Sequence, residues 1–294
     1  MKCELCGYSG QMLPKFQAKE IFECPRCGLI FYPGSAASDL YSREYFEGGE
    51  YHDYRGDERV IRRNFRKQIR RLLELAPSGR LYEIGCAYGF FLDLARRHWD
   101  VSGTDVTEEG IAHAREALRL PVECGDFLDS PENSGAFDLI CMWDTIEHLP
   151  HPVRTIEKAT RALKPGGALV ITTGDIGSLV ARWRGERWRQ IHPPTHLYYF
   201  SRKTLTRAVE QTGLSVDSID SVGYWRSLRS MLYGIFVLGE KRTAWIYRLL
   251  TAGGRLDLPV YSNLYDIMLM VAVKPKSAAG EDLREVSRSL LSGP

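Results

Sequence analysis

The stretch Leu81-Tyr82-Glu83-Ile84-Gly85-Cys86-Ala87-Tyr88-Gly89 decides the fold. A short strand pattern runs into two glycines, and Phe90 to His98 then carries the apolar spacing of a helix. A glycine-bearing turn between strand and helix lets a ligand approach the backbone near the positive end of the helix dipole. The alternation continues downstream. Val101 to Asp105 reads as a polar-ended strand, Glu108 to Leu118 as a helix, and Phe137 to Trp143 as a continuous apolar strand. Val153 to Leu163 reads as a helix, Lys164-Pro165-Gly166-Gly167 as a turn, and Ala168 to Thr173 as another strand. Repeated βαβ units imply a parallel sheet with helices on both faces, and ligands then bind outside the carboxyl ends of strands where the chain order reverses.

Asp105 stands 20 residues after Gly85 at a strand end, where an acid can accept hydrogen bonds from a ribose diol. That spacing alone suits NAD as well as other adenosine-bearing cofactors. In order along the chain, EIGCAYG (83–89), GTD (103–105), GDF (125–127), FDLICMWDTIEHLPHP (137–152) and LKPGGALVITT (163–173) resemble five motifs of class I S-adenosylmethionine-dependent methyltransferases. The resemblance implies an α/β fold: a Rossmann-like sheet of seven strands ending in an antiparallel hairpin. It places Glu83 and Gly85 near the methionine part of S-adenosylmethionine, Asp105 on the ribose hydroxyls, and Asp126 with Phe127 at the adenine. The candidate cofactor-binding set is Glu83, Gly85, Cys86, Ala87, Gly89, Asp105, Val106, Asp126, Phe127 and Trp143. Ala87 departs from the family's turn by standing where its middle glycine falls. Structural roles, a helix cap for Asp105 and a turn for Asp126, compete with these. An NAD-dependent enzyme would leave the LKPGG and EHL segments without a role.

Four of the seven cysteines fall in two identical frames, Cys3-Glu4-Leu5-Cys6-Gly7 and Cys24-Pro25-Arg26-Cys27-Gly28, with 17 residues between them. That C-x2-C-x17-C-x2-C spacing is a zinc-site signature. Four thiolates fill a tetrahedral shell, so Cys3, Cys6, Cys24 and Cys27 are expected to hold a structural Zn2+ in a ribbon too small to fold without it. Cys86, Cys124 and Cys141 read as core thiols. The CxxCG pair, an aromatic EYF segment and HLYYFS (196–201) are together similar to a branch of these methyltransferases often linked to polysaccharide and secondary-metabolite genes.

Directly after the apolar strand, Asp144-Thr145-Ile146-Glu147-His148-Leu149-Pro150-His151-Pro152 gathers two carboxylates and two imidazoles. If the chain turns helical there, Asp144, Glu147 and His148 share one face and could hold Mg2+ or Zn2+. Similar E-x-x-E-H clusters occur in metal-dependent ubiquinone-pathway O-methyltransferases and in small-RNA end-methylating enzymes. The alternatives are His148 as a general base and a purely structural turn, with His151 a loop residue between prolines. The segment from Gly174 to His196 follows a strand's carboxyl end and can cover the crevice, its two tryptophans and four arginines suiting an aromatic or anionic group. Within it, His192-Pro193-Pro194-Thr195-His196 could bring either histidine over the site as a base or as an additional metal ligand, with a structural role competing for each, so His148, His192 and His196 are the catalytic candidates.

The domain reading is a zinc ribbon at 1–33, an aromatic connector and helix at 34–77, and a methyltransferase domain at 78–276. The latter carries insertions at about 174–200 and 224–259, the substrate-covering one expected to be helical, and a flexible tail occupies 277–294. Lys plus Arg (39) nearly balances Asp plus Glu (37), so net charge gives no reason for general nucleic-acid binding. No window reaches the apolar length of a membrane span or a signal peptide, which points to the cytoplasm; the aromatic, partly basic 224–259 segment suits a lipid carrier or peripheral contact with a membrane, with packing over the substrate pocket or at a dimer contact the simpler reading. The expected function is methyl transfer from S-adenosylmethionine to a hydroxyl of a small acceptor, sugar-derived, polyketide-like or quinone-like, by a monomer or homodimer. Two alternatives stay open: metal-assisted O-methylation through Asp144, Glu147 and His148, and an RNA- or protein-directed role for the ribbon and arginine-rich insert.

Overall fold

The computed structural model describes residues 1–34, 54–233, 236, 244–251 and 258–276. Most of the aromatic connector and all of the 277–294 tail lie outside the described residues. At the N-terminus β1 (Leu13–Phe16), β2 (Ile21–Glu23) and β3 (Ile30–Phe31) form an antiparallel ribbon. Helix α1 (Glu58–Leu75) leads to β4 (Arg80–Ile84), α2 (Phe90–Ala95), β5 (Asp100–Asp105), α3 (Glu108–Glu116), β6 (Val122–Cys124), β7 (Phe137–Trp143), α4 (Pro152–Ala162) and β8 (Leu163–Gly174). Then come α5 (Leu179–Arg184), β9 (Tyr198–Tyr199), α6 (Arg202–Glu210), β10 (Ser215–Ser221), β11 (Tyr224–Ser227), α7 (Leu228–Tyr233), α8 (Ala244–Thr251), β12 (Pro259–Ser262) and β13 (Ile267–Val273).

Seven strands form one sheet in the order β10-β13-β8-β7-β4-β5-β6. The run from β8 to β6 is parallel, and β13 is antiparallel to both its neighbours. The expected α/β architecture with its terminal antiparallel strands is thus present. Apolar runs with little polar surface sit at the centre because only there are both faces covered. Leu139, Ile140, Cys141 and Met142 of β7 are fully buried, as are Met268, Leu269 and Met270 of β13. Each large side chain so buried contributes roughly 1.5–3 kcal/mol. From β4 the chain steps outward through β5 and β6, then returns to β7 on the other side of β4. The order reverses between β4 and β7, so their carboxyl ends, at Gly85 and Asp144, frame the crevice.

Three features differ from the sequence reading. Strand β6 has only three residues, too few to show a period, and is held by its register with β5, Gly103 opposite Val122. Strand β8 starts at Leu163 rather than Ala168, because Leu163 pairs with Phe137 of β7 and the Gly166 amide donates to Lys274 O just past β13. Among the described residues of the insertion near 224–259, β11 pairs antiparallel with β12 just beyond it, Trp225 opposite Tyr261, a pairing no sequence pattern announced.

The ribbon is built into the domain rather than tethered to it. Strand β3 pairs with β9, Ile30 opposite Tyr199 and Phe31 opposite Tyr198, making a four-stranded sheet. Leu5, Met12, Leu29 and Phe31 belong to the same apolar core as Ile146, Ile156, Phe200 and Leu205.

Candidate active site

Strand β4 ends at Ile84, and the chain turns through Gly85 (φ +80°), Ala87 (φ +43°) and Gly89 (φ +77°) before α2. The Gly85 and Cys86 amides donate to Thr104 O at 2.8 and 3.0 Å, fastening the turn to β5. The Ala87 amide donates to Asp105 Oδ2 at 2.7 Å, while Oδ1 accepts from Thr107 N at 2.8 Å and Thr107 Oγ1 at 2.6 Å. Asp105 therefore braces the turn, and with about four lone-pair sites on a carboxylate it keeps capacity for a hydroxyl. Glu83 lies beneath, 3% exposed, and its Oε2 has no hydrogen-bond partner among the described residues. Burial, then the charge of Asp105, raises the Glu83 carboxyl well above the usual carboxylate range. A Cβ on Gly85 would lie 2.5 Å from Thr145 Cγ2, so only glycine lets the turn after β7 close over this one.

The other cofactor candidates are placed less uniformly. Cys86 is buried, and Trp143 holds its ring 5.1 Å from Phe91 with its Nε1 buried and unpartnered among the described residues. Val106 is half exposed. Asp126 Oδ1 accepts from Leu128 N at 2.8 Å, the turn role that competed with ligand contact. Phe127 is buried, its ring 5.4 Å from that of Tyr82, so that ring packs in the core.

Across the crevice, Asp144 takes a left-handed backbone (φ +49°) and its amide donates to Thr172 O and Oγ1 at 3.1 and 2.9 Å. Ile146–His148 then make one 3-10 turn instead of an α-helix. The shared face expected for Asp144, Glu147 and His148 does not form; Asp144 is raised by burial and faces Thr172, Arg226 and Arg189. His196 takes the third place. Ligand-type atoms of Glu147, His148 and His196 lie within 4.8 Å of one another. The His148 and His196 rings are 4.4 Å apart, and those of His192 and His196 are 3.9 Å apart. His148 Nδ1 lies 2.9 Å from Thr195 O and His196 Nδ1 3.0 Å from Gln190 O. A carbonyl only accepts, so each Nδ1 carries the proton and each Nε2 offers a lone pair. His192 Nδ1 meets Thr195 Oγ1 at 2.9 Å. Burial lowers His148 to about 4 and His192 to about 3, and raises Glu147, next to the charge of Asp144, to about 8. The sequence singled out all three histidines; only long-range pairing could show that they meet.

Residues 57–219, more than half of the chain, match a family model described as a methyltransferase domain. The chain belongs to this methyltransferase family. Its seven-stranded sheet has the class I methyltransferase architecture. Among curated relatives it is 30% identical over 180 residues to the biotin biosynthesis bifunctional protein BioHC of Cellvibrio japonicus, covering 57% of this chain and 35% of that protein. It is 30% identical over 103 residues to the ubiquinone biosynthesis O-methyltransferase of Alkalilimnicola ehrlichii, covering 32% and 41%. The match thus spans well under half the length of these relatives. Among solved structures, an S-adenosylmethionine-dependent methyltransferase of Archaeoglobus fulgidus superposes with a TM-score of 0.51 at 19% identity, covering 75% of this chain and 99% of that one. The YcgJ protein of Bacillus subtilis does so with 0.53 at 13%, covering 72% and 98%, and both likenesses concern the fold.

In this methyltransferase the four N-terminal cysteines converge as their spacing predicts. All four Sγ atoms lie within 4.8 Å of one another, with Cys3–Cys27 at 3.5 Å and Cys6–Cys24 at 3.6 Å. A tetrahedral zinc with Zn–S bonds of about 2.3 Å needs sulfur separations of roughly 3.8 Å, so the donor set fits. Gly7 (φ +68°) and Gly28 (φ +77°) donate to Cys3 O and Cys24 O at 2.9 Å, giving two matched knuckles. Cys86 and Cys141 are buried, but Cys124 is exposed at the end of β6, correcting its reading as a core thiol. The covering insert is also split in role. Trp188 is buried and donates to Asp266 Oδ2 at 2.9 Å, and Arg189 grips the same carboxylate at 3.0 and 3.2 Å, whereas Trp183 is 82% exposed. His151 lies outside the cluster and faces Glu4 of the ribbon at 3.5 Å.

Proposed function

We propose that the enzyme methylates a hydroxyl of a small, hydroxylated acceptor, and that the histidine cluster receives the acceptor's proton. The observation that supports this most is the gathering of His148, His192 and His196 beside the cofactor turn, with two Nδ1 atoms fixed on carbonyls so that Nε2 lone pairs serve as acceptors. When bound, S-adenosylmethionine supplies an electrophilic methyl group on a sulfonium for in-line displacement. Glu83 and Asp105 are the residues to hold it. The unpartnered Glu83 oxygen suits the ammonium of the methionine part, and Asp105 suits a ribose hydroxyl. His148 enters the reaction neutral, as a proton acceptor must, and orientation of the hydroxyl against Nε2 supplies most of its contribution. The cysteine ribbon holds Zn2+ in a closed, structural shell. A small acceptor agrees with the relatives' biotin and ubiquinone biosynthetic names, and Arg189, committed to Asp266, is withdrawn from any anion-binding role.

A second reading is favoured by the 4.8 Å clustering of Glu147, His148 and His196: a divalent cation held there would orient the acceptor oxygen. Two imidazoles and a carboxylate suit Mn2+, Fe2+ or Zn2+ better than Mg2+. Label transfer from methyl-labelled S-adenosylmethionine to hydroxylated small molecules, with RNA in parallel, tests the function. His148→Gln is expected to lower transfer at least 100-fold while S-adenosylhomocysteine binding stays within about twofold. Unchanged transfer sinks the base, label on RNA sinks the small-molecule acceptor, and activity restored to chelated enzyme only by Mn2+ selects the second reading.

A further inference from the structure

Outside the crevice, one edge of the molecule combines a stripe of exposed positive charge with exposed apolar side chains. Helix α1 buries Val60, Ile69 and Leu72 and turns Arg59, Arg63, Arg66, Lys67 and Arg70 to solvent, a stripe at helical spacing over three turns. Among the described residues none of these five forms an ion pair with an acid, unlike Arg62, which is held by Glu58 and Asp93. The β11–β12 hairpin lies alongside. The Arg63 guanidinium sits 3.3 Å above the ring of Trp225, and the Lys67 ammonium lies 5.7 Å from that of Tyr261. Helix α7 follows β11 directly, and its Ser230 hydroxyl donates to Asp57 at the start of α1. Tyr233 and Tyr247 stack edge-on at 5.7 Å, joining α8 to α7.

This edge also carries several large apolar side chains that face water. Trp245 and Leu249, one turn apart on α8, are 64% and 69% exposed, and Leu258 and Tyr261 at β12 are 63% and 43% exposed. A basic stripe alone would serve any polyanion, and an apolar patch alone would serve a second protein. Their juxtaposition fits a surface that is anionic at its face and apolar just beneath it. We infer that the edge formed by α1, the β11–β12 hairpin and α8 docks on the surface of an anionic phospholipid bilayer, the arginines on lipid phosphates and Trp245 with Leu249 at the acyl boundary. No helix among the described residues is long and apolar enough to cross a membrane, so the attachment is from one side.

Co-sedimentation of the full chain with vesicles tests this. Binding to vesicles of phosphatidylglycerol with phosphatidylcholine is expected at low salt, falling steeply as salt rises, with little binding to phosphatidylcholine alone. The triple change Arg59→Gln, Arg66→Gln and Arg70→Gln should weaken it roughly 100-fold, at about fivefold per cation. The pair Trp245→Ser and Leu249→Ser should remove the binding that survives high salt. All five positions are exposed, so folding and S-adenosylhomocysteine binding are expected to be unchanged in both variants and serve as controls. No binding to anionic vesicles at low salt overturns the proposal. So does binding that ignores Trp245 and Leu249 and transfers equally to RNA, which would make the stripe a general polyanion site.

Discussion

The cofactor turn and the histidine cluster touch across Gly85 and Thr145, yet they are assembled in opposite ways. The turn is local: β4, the glycine turn, α2 and β5 are consecutive, and its key bonds, Gly85 N to Thr104 O and Ala87 N to Asp105 Oδ2, join residues about 20 apart. The cluster joins the turn after β7 to a loop some 45 residues later, Leu197 N donating to Glu147 O at 2.9 Å. That loop is in turn gripped by the N-terminal ribbon. Lys19 Nζ donates to Ile191 O at 2.6 Å, Tyr32 N donates to Leu197 O at 2.8 Å, and β3 pairs with β9 immediately after His196. One half of the crevice follows from a local pattern; the other is held in part by contacts from a remote cysteine ribbon.

Removing the metal expected at the cysteines should therefore break the two halves apart, and this is the largest effect. A structural zinc stabilises a small ribbon by about 10 kcal/mol or more. Chelation, or Cys24→Ser, is expected to raise amide hydrogen exchange across 188–200 by orders of magnitude while 81–92 keeps its protection and S-adenosylhomocysteine still binds. Equal loss of protection in both segments would show that the crevice is one cooperative unit. Next in size is Asp105→Ala, which removes the brace of the turn and a ribose partner. Calorimetry should show S-adenosylhomocysteine bound roughly 100-fold more weakly, two charge-assisted hydrogen bonds at about 1.5 kcal/mol each, with exchange at 188–200 unchanged. An affinity within threefold of the parent would remove Asp105 from the binding role.

Asp266 gives a third, smaller test on the histidine side, because it anchors the covering insert through Trp188 and Arg189. Asp266→Ala should cost about 2–3 kcal/mol in thermal or denaturant unfolding, since it leaves the buried indole donor unpaired and Arg189 is itself partly exposed. Burial tends to raise this carboxyl, but the Arg189 hydrogen bond and charge prevail and hold it below the ordinary aspartate value. A depressed pKa stabilises the fold above the unfolded value near 3.9, and that stability fades as pH falls through the depressed one. The parent should lose more stability than the variant as pH falls below about 4; parallel curves would show that the pair carries none of it.

How far the sequence could be read follows the same division. The apolar run at 137–143 and the glycines at 85 and 89 announce their strand and turn because each is satisfied by neighbours in the chain. Asp105 was visible for the same reason, its spacing from Gly85 being the width of one βα unit. The histidines were visible as residue types but not as a group. Nothing local says that His196 rather than Asp144 completes the set with Glu147 and His148. That choice is made by a 3-10 turn where an α-helix was expected and by the pairing of β9 with the ribbon. The β11–β12 hairpin escaped for a related reason: its strands are separated by two short helices, so no turn signal links them.

The smallest test addresses Ala87, the one place where the cofactor turn departs from a glycine pattern. Its φ of +43° lies in the left-handed region, which costs a residue with a Cβ roughly 1–2 kcal/mol. Glycine would remove that strain but would give up roughly 0.4–1 kcal/mol through a more flexible unfolded chain. Ala87→Gly should therefore stabilise the protein by about 0.5 kcal/mol, a rise in Tm of roughly 1–2 °C for a domain of this size. The bond to Asp105 comes from the backbone amide, which glycine retains, so S-adenosylhomocysteine affinity should stay within twofold. A fall in Tm would mean that the methyl group's packing near Tyr88 and Phe90 outweighs the strain, and the alanine would then belong to the apolar support of α2 rather than to the ligand side of the turn.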